Sequence, residues 1–211
     1  MADYTLYCFA QSGNAYKAAL MLELSAADWE PRFVDFFNGE TRTPEYRALN
    51  VMGEVPVLVH GDVTLSQSGV ILDYLTEALG NYRPVDNAER REVLRWTLFD
   101  NHKLTSYVAT LRFLRSIAKS GDPAVIEFLE SRAKGALAVL DAQLTTREFV
   151  TGERPTTADF SLCGYLFWPD EIGIDFSAYP AVTAWLDRIR ALPGWKHPYD
   201  LMPGHPLPDK N

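Results

Sequence analysis

The stretch from Gly53 to Tyr74 places a strand, a tight turn, a second strand and a helix start in close succession. The residue before Pro56 is biased towards an extended backbone, and the apolar run from Val57 to Val59 predicts a short strand. The Gly-Asp pair at positions 61 and 62 separates this run from a second one at 63 to 65, which predicts a β-hairpin. Polar residues at 66 to 68 then precede an apolar pattern typical of a helix with one buried face.

The residues before this stretch alternate between strand and helix signals. The patterns predict a strand at Tyr4 to Phe9, a helix at about Ala15 to Leu24, a strand at Arg32 to Phe37 and a short helix at about Pro44 to Leu49. Because a helix connects the first two strands, we expect them to be parallel. The resulting order β-α-β-α-β-β-α resembles the thioredoxin fold and ends near Leu79, before a polar linker at Gly80 to Asn87.

Strand signals largely stop after the linker, and helical patterns follow. A long helix is predicted from about Ala88 to Lys119, and Asp122 with Pro123 is typical of the start of the next helix. Thr156 and Asp159 have the spacing of a capping box, which is a structural motif. A last amphipathic helix is predicted at about Ala181 to Leu192. We therefore expect an all-helical second domain.

The charge balance argues against two classes of partner. The 211-residue chain has a formal net charge of −8, whereas nucleic-acid and anionic membrane surfaces attract clustered Lys and Arg. No run approaches the roughly 20 apolar residues of a membrane span, and the N-terminus lacks the features of a signal peptide. We expect a cytoplasmic protein that binds neither nucleic acid nor membranes.

The cysteines and histidines do not form a metal or dithiol motif. Cys8 and Cys163 are far apart and neither belongs to a Cys-x-x-Cys pair, which excludes dithiol chemistry of the thioredoxin kind. The four histidines do not have metal-ligand spacing either. We expect no metal, and two inert core cysteines.

The polar cluster before the third predicted helix is a candidate anion site. Backbone N–H groups at a helix start lack intrahelical partners, and the helix dipole is positive there. The alternative is that one serine only caps the helix. Val-Pro, a hairpin, Gln-Ser and a helix in this order resemble the glutathione-binding half of the cytosolic glutathione S-transferase family. The resemblance implies a cis bond before Pro56, backbone hydrogen bonds from Val55 to the peptide ligand, and a γ-glutamyl end held by Gln67 and Ser68.

The resemblance covers nearly the whole chain. It implies an α/β thioredoxin-like N-terminal domain at 1–80, followed by an all-α helical-bundle domain at 88–211. It also implies glutathione as co-substrate, a small apolar electrophile or a peroxide as second substrate, a detoxification role and a homodimer.

The loop after the first strand holds the candidate catalytic residues. The stretch Leu6 to Ser12 is similar to the strand and loop that carry the catalytic serine of the zeta and theta classes, which implies that Ser12 stabilises the glutathione thiolate. Asn14 matches the position where the bacterial nu class places an amide in that role, and Gln11 is assigned to glutathione binding. The alternative is that Ser12 or Asn14 only caps the helix beginning near Ala15.

Further positions are assigned by the resemblance alone. Asp100 is expected to approach the glutathione amine of a partner subunit, as an acidic residue does in several classes. A second-substrate pocket is expected from residues of the long helices, with a core role as the alternative for each: Tyr107, Leu111, Phe113 and Arg115. Many family members carry Lys or Gln at the position of Glu54, where that side chain helps hold the glycine end of glutathione. A carboxylate there should weaken glutathione binding, and Glu54 therefore supports an alternative function as a non-catalytic protein-binding scaffold.

Overall fold

The computed structural model describes residues 2–207, which group into two compact units. The first unit contains the residues up to Asn81 together with those from Leu192 onward, and the second contains Tyr82–Ala191. The expected helical domain at 88–211 therefore differs from the structure in its last stretch. The physical reason is hydrogen bonding: the Tyr16 hydroxyl donates to the Lys196 carbonyl over 2.8 Å, and the chain near Pro203 also bonds within the first unit.

A four-stranded mixed sheet forms the centre of the first unit. Its order is β2-β1-β3-β4, with β1 at Tyr4–Cys8, β2 at Trp29–Phe33, β3 at Val57–His60 and β4 at Val63–Ser66. Strands β1 and β2 are parallel, while β3 is antiparallel to both β1 and β4. This topology confirms the thioredoxin-like prediction and the hairpin.

The second strand lies earlier than predicted. It was expected at Arg32 to Phe37, but pairing with β1 ends at Phe33. The chain then bends, because the amide of Phe36 donates to the carbonyl of Val34 over 2.8 Å. The aromatic side chains after the bend pack on Phe9 and do not extend the sheet.

The described residues of the first unit also form the α-helices α1 at Gly13–Leu24, α2 at Pro44–Leu49, α3 at Ser68–Leu79 and α10 at Pro198–Leu201, together with a 3-10 turn at Glu40–Arg42. Helix α1 is central, since its residues from Ala18 to Leu22 are fully buried. Its N-terminus, and that of α3, hold the polar residues that the sequence assigns to a ligand site.

The second unit is helical, as predicted. Its helices are α4 at Asn87–Phe99, α5 at Thr105–Arg112, α6 at Pro123–Leu144, α7 at Thr157–Cys163, α8 at Pro169–Ile172 and α9 at Pro180–Arg190. The predicted long helix is continuous but contains two π-helical turns, at Asp100–Leu104 and Phe113–Ile117. Asp122 caps α6 directly before Pro123, which confirms that predicted start. No helix within residues 2–207 is long and apolar enough to cross a membrane.

The predicted capping box is present at the start of α7. The fully buried Asp159 carboxylate accepts hydrogen bonds from the Thr156 amide at 2.8 Å and the Val150 amide at 2.9 Å. The indole Nε1 of Trp185 donates to the same carboxylate over 2.9 Å. The motif therefore joins three segments of the helical unit.

Candidate functional site

The peptide bond between Val55 and Pro56 is cis, as the resemblance implied. Pro56 is buried directly before β3. The carbonyl of the preceding Glu54 accepts hydrogen bonds from the Tyr46 hydroxyl at 3.0 Å and from Nδ2 of Asn50 at 2.8 Å. Burial raises the pKa of the Tyr46 hydroxyl, which keeps it a donor. Helix α2 thus fixes the backbone that leads into the cis bond.

The N-terminus of α3 presents Gln67 and Ser68. Gln67 has a φ of 71°, a conformation that few non-glycine residues adopt and that is common at ligand sites. Ser68 is the first residue of the helix and is 5% exposed. Since the first helical bond runs from the Ile71 amide to the Gln67 carbonyl, the amides before Ile71 precede the helical ladder and point towards the helix start. This arrangement suits a carboxylate.

The side chain of Gln67 contacts an acidic residue. Its Nε2 donates to Oε2 of Glu54 over 3.1 Å and lies 3.0 Å from the sulfur of Met52. Both Gln67 and Glu54 are exposed. The residues on either side of the β3–β4 hairpin therefore meet at one place on the first unit.

The loop after β1 places Ser12 at the start of α1. Its Oγ accepts a hydrogen bond from the Ala15 amide at 3.2 Å, so Ser12 caps the helix. Capping uses a lone pair of the oxygen and leaves the hydroxyl proton to donate elsewhere. The cap therefore orients a hydroxyl that can still donate to a thiolate.

Asn14 lies on the first turn of α1 and is half-buried. Its Oδ1 is buried and has no hydrogen-bond partner among the described residues. A buried polar atom without a partner is uncommon in proteins and often marks a functional position. This oxygen is an acceptor, whereas a thiolate needs the Nδ2 donor of the same amide, so Asn14 stays the second candidate on the resemblance alone.

Gln11 bonds to the C-terminal segment of the first unit. Its Nε2 donates to the carbonyl of Gly204 over 2.9 Å, and the neighbouring Ala10 amide donates to the carbonyl of Pro203 over 2.7 Å. Gln11 itself is 5% exposed. The structure thus joins the candidate catalytic loop to the segment after α10.

An aromatic cluster that the sequence analysis did not identify lies beside this loop. Phe36 stacks on Phe9 with ring centroids 4.8 Å apart, and Phe37 meets Phe9 edge to face at 5.6 Å. The Phe9 carbonyl also accepts the Ser12 amide at 3.0 Å. Phe36 and Phe37 were assigned to β2, and the Asn-Gly pair after them was the sequence signal for a turn.

Asp100 is fully buried within the helical unit. Its carboxylate accepts hydrogen bonds from the hydroxyls of Thr105 at 2.7 Å and Ser161 at 2.6 Å. Because the side chain has no exposed surface, this geometry favours a structural role over the expected contact with a ligand in a partner subunit.

The four expected second-substrate residues differ in exposure. Leu111 is fully buried, and Nη1 of Arg115 donates to the carbonyl of Ile172 over 2.6 Å while its Nη2 pairs with Glu130. Tyr107 is half-buried against Phe128, and Phe113 is exposed. Only the two aromatic residues offer apolar surface.

Both cysteines are buried, and neither forms a disulfide bond within residues 2–207. Burial raises the pKa of the Cys8 thiol to about 12, so this residue stays protonated near neutral pH. Within residues 2–207, no group of three or more His, Cys, Asp or Glu side chains is placed to hold a metal ion.

Comparison with known proteins matches both parts of the chain to one family. The profile of the glutathione S-transferase N-terminal domain matches residues 2–77, and that of the C-terminal domain matches residues 106–193. A glutathione S-transferase structure from Pseudomonas fluorescens superposes with a TM-score of 0.86 at 32% identity, covering 92% of this chain and 98% of that chain.

Two further proteins are similar to this chain over most of its length. A glutathione transferase from Phanerochaete chrysosporium, solved in complex with oxidized glutathione, has a TM-score of 0.84 at 26% identity and covers 92% of this chain and 93% of its own. A disulfide-bond oxidoreductase of Escherichia coli is 27% identical over 192 residues, which are 88% of this chain and 89% of that protein. With both domain profiles matched in order on the observed fold, the chain belongs to the glutathione S-transferase family.

Proposed function

We propose that this protein is a glutathione transferase whose first unit binds glutathione. The observation that carries the proposal is the cis bond between Val55 and Pro56 beside a helix start that presents Gln67 and Ser68. The backbone of Val55 then pairs with the peptide of glutathione, while Ser68 and the α3 amides hold the α-carboxylate of its γ-glutamyl end.

The chemistry we propose is activation of the glutathione thiol. A thiol of pKa about 8.5 is roughly 3% thiolate at pH 7, and lowering that pKa by two units requires about 2.7 kcal/mol. One or two hydrogen bonds to the sulfur supply this, since bonds to a charged acceptor contribute about 1.5–3 kcal/mol each. Ser12 is the first donor in this proposal and the side-chain amide of Asn14 the second.

The thiolate attacks a carbon of a small apolar electrophile: a carbon–sulfur bond forms while the bond from that carbon to its leaving group breaks, and the leaving group departs with the electron pair. Alternatively, two glutathione molecules reduce a hydroperoxide to an alcohol and water, and are themselves oxidised to the disulfide. We assign electrophile binding to Tyr107 and Phe113, because they retain exposed aromatic surface whereas Leu111 and Arg115 serve the packing of the helical unit. Detoxification in the cytoplasm is the role we infer from the family.

A symmetric homodimer is also part of the proposal. Each unit carries exposed apolar side chains: Val51 and Met52 are 77% and 54% exposed, and Leu94 and Leu98, one turn apart on α4, are 57% and 60% exposed. We expect Leu98→Glu to convert a dimer to a monomer in sedimentation velocity. Val139→Glu, on the exposed face of α6, is the matched control and should leave the sedimentation coefficient unchanged.

The test of the proposed site is calorimetric titration of glutathione. We expect Ser68→Ala to weaken binding by about tenfold or more, because it removes a hydrogen bond to a charged group. Ser25→Ala is the control, since the buried Ser25 hydroxyl has no hydrogen-bond partner in the described chain. Equal affinity of wild type and Ser68→Ala would contradict the site, and no binding by wild type would favour a non-catalytic scaffold.

A further inference from the structure

The residues directly before Ser12 form a tight turn. The Ser12 amide donates to the carbonyl of Phe9 over 3.0 Å, which closes the turn over residues 9–12. Ala10 and Gln11 are the central residues of this turn, and both are buried. Because the central residues of a turn set the direction in which the chain leaves it, whatever holds them also sets the backbone direction of Ser12.

The C-terminal segment, residues 202–205, holds both central residues of the turn. The Ala10 amide donates to the carbonyl of Pro203 over 2.7 Å. Nε2 of Gln11 donates to the carbonyl of Gly204 over 2.9 Å. Moving the segment away would leave two donors of buried residues without these acceptors, which is unfavourable. The segment and the turn therefore keep one relative position.

The C-terminal segment is itself held at two further points. Gly204 has a φ of 95°, and a Cβ atom there would lie 2.6 Å from Cε2 of Phe33, the last residue of β2. Only glycine allows this approach. His205 stacks on Tyr199 of α10, with ring centroids 3.7 Å apart and planes 4° apart. The segment thus occupies one place between the end of β2, α10 and the turn.

We propose that the C-terminal segment positions the Ser12 hydroxyl for activation of the glutathione thiol, and that Gln11 is the positioning side chain between them. This inference rests on the proposed function and deepens it. The bond from the Ala15 amide orients Oγ of Ser12 relative to α1, and the held turn orients the backbone. Since a hydrogen bond weakens steeply away from its best geometry, a displaced turn should raise the pKa of the bound thiol.

The experiment displaces the segment by a change outside the proposed glutathione site. Gly204→Ala places a Cβ atom against Phe33, in a backbone conformation that alanine rarely adopts. Gly194→Ala is the matched control, because Gly194 has a similar φ of 91° but its added Cβ would meet nothing closer than the Glu23 carbonyl at 3.6 Å. Hydrogen exchange of the Ala10 amide, followed by NMR, should accelerate in Gly204→Ala and not in Gly194→Ala.

Two probes separate positioning of the hydroxyl from binding of the peptide. The ultraviolet absorbance of bound glutathione as a function of pH measures the thiol pKa, and calorimetry of S-methylglutathione, which has no ionisable thiol, measures binding. We expect Gly204→Ala to raise the thiol pKa by about 0.5–1 pH unit and to change the affinity for S-methylglutathione by less than about twofold. In a Ser12→Ala background, Gly204→Ala should add no further shift of the pKa, because the effect runs through Ser12.

Gln11→Ala is a second variant that removes only one of the two bonds to the segment. It should raise the thiol pKa in the same direction and keep the affinity for S-methylglutathione, whereas a loss of that affinity would show that Gln11 binds the peptide directly.

Several results would overturn the inference while the proposed function stands. They are unchanged exchange of the Ala10 amide or an unchanged thiol pKa in Gly204→Ala, the same pKa shift in Gly194→Ala, and a further shift in the Ser12→Ala background. Weaker binding of S-methylglutathione by Gly204→Ala would show that the segment supports the whole site and not the hydroxyl. Absence of binding of both probes to wild type would instead remove the proposed function, and this inference with it.

Discussion

Nε2 of Gln11 donates a hydrogen bond to the carbonyl oxygen of Gly204, 193 positions later in the chain. A backbone hydrogen bond joins the same two segments, from the Ala10 amide to the Pro203 carbonyl over 2.7 Å. Both bonds begin in the loop that leads to Ser12. The conformation of the candidate catalytic loop and that of the C-terminal segment are therefore coupled.

Removing the Gln11 amide should loosen the C-terminal segment. We expect Gln11→Ala to increase cleavage of the chain after α10 by carboxypeptidase or by a low dose of a nonspecific protease. Mass spectrometry of the products measures this cleavage. Gln143→Ala is the matched control, because Gln143 donates the same kind of bond to the carbonyl of Val150 at 2.9 Å in the helical unit. Unchanged cleavage in Gln11→Ala would show that the backbone bond of Ala10 holds the segment alone.

Ser12→Ala should produce two separable effects. Loss of the cap on α1 should lower the free energy of unfolding by about 1 kcal/mol. Loss of the hydroxyl donor should raise the pKa of the thiol of bound glutathione by about one to two pH units. The ultraviolet absorbance of the thiolate, recorded as a function of pH, measures this pKa.

Thr43→Ala separates these effects. Thr43 caps α2 by accepting the Tyr46 amide at 3.2 Å, the same distance as the Ser12 cap. The control should lose similar stability without changing the thiol pKa. If Ser12→Ala behaves as Thr43→Ala does, Ser12 is a cap only.

The buried thiols should resist modification in the folded protein over a wide pH range. The pKa of Cys8 rises from 9.0 to about 12, so its thiolate does not form between pH 7 and 9. We expect labelling by a disulfide reagent to stay slow across that range, and both cysteines to react once the protein is denatured. Rapid native labelling that accelerates with pH would contradict this burial.

The raised pKa of the Cys8 thiol makes the free energy of unfolding depend on pH. From pH 9 to 12 the folded protein keeps the Cys8 proton that the unfolded chain releases. The contribution of Cys8 to the free energy of unfolding therefore falls as pH rises through that window, and is fully present below it. Comparing the pH dependence of unfolding in wild type and Cys8→Ala measures this contribution.

Asp159→Ala should be strongly destabilising. The buried carboxylate accepts from the amides of Thr156 and Val150 and from the indole of Trp185, and all three donors would lose their acceptor. We expect a loss of at least about 3 kcal/mol in urea unfolding. Asp122→Ala, which removes the exposed cap of α6, should cost only about 1 kcal/mol. If the two variants lost similar free energies of unfolding, the hydrogen bonds to Asp159 would stabilise the protein no more than an exposed helix cap does.

Sequence rules located the features that depend on a few neighbouring residues. The hairpin after Pro56, the cap formed by Asp122 and the capping box at Thr156 each rest on side chains within a few positions of one another. The structure has all three where the sequence predicts them. The cis bond before Pro56 followed from the family resemblance, because local sequence does not determine it.

Features that depend on packing between residues far apart in the sequence could not be predicted from local sequence patterns. Each π-helical turn adds one residue to the helix, which rotates the following face by about 100° relative to an uninterrupted helix. A 3.6-residue period continued from α4 therefore does not give the orientation of the residues after Leu104, such as the buried Leu111. Phe36 leaves the predicted strand to stack on Phe9, a contact that alternation within the strand does not encode.

The assignment of residues after Leu192 to the first unit has a consequence for biosynthesis. The helical unit, Tyr82–Ala191, is contiguous, whereas the first unit is interrupted by it. The Tyr16 hydroxyl meets its acceptor only 180 residues later, at Lys196. On the ribosome, the helical unit is complete before the first unit has received its final segment. A fragment cut at the linker would lack the carbonyls that accept from Ala10, Gln11 and Tyr16, and so would not contain the complete first unit.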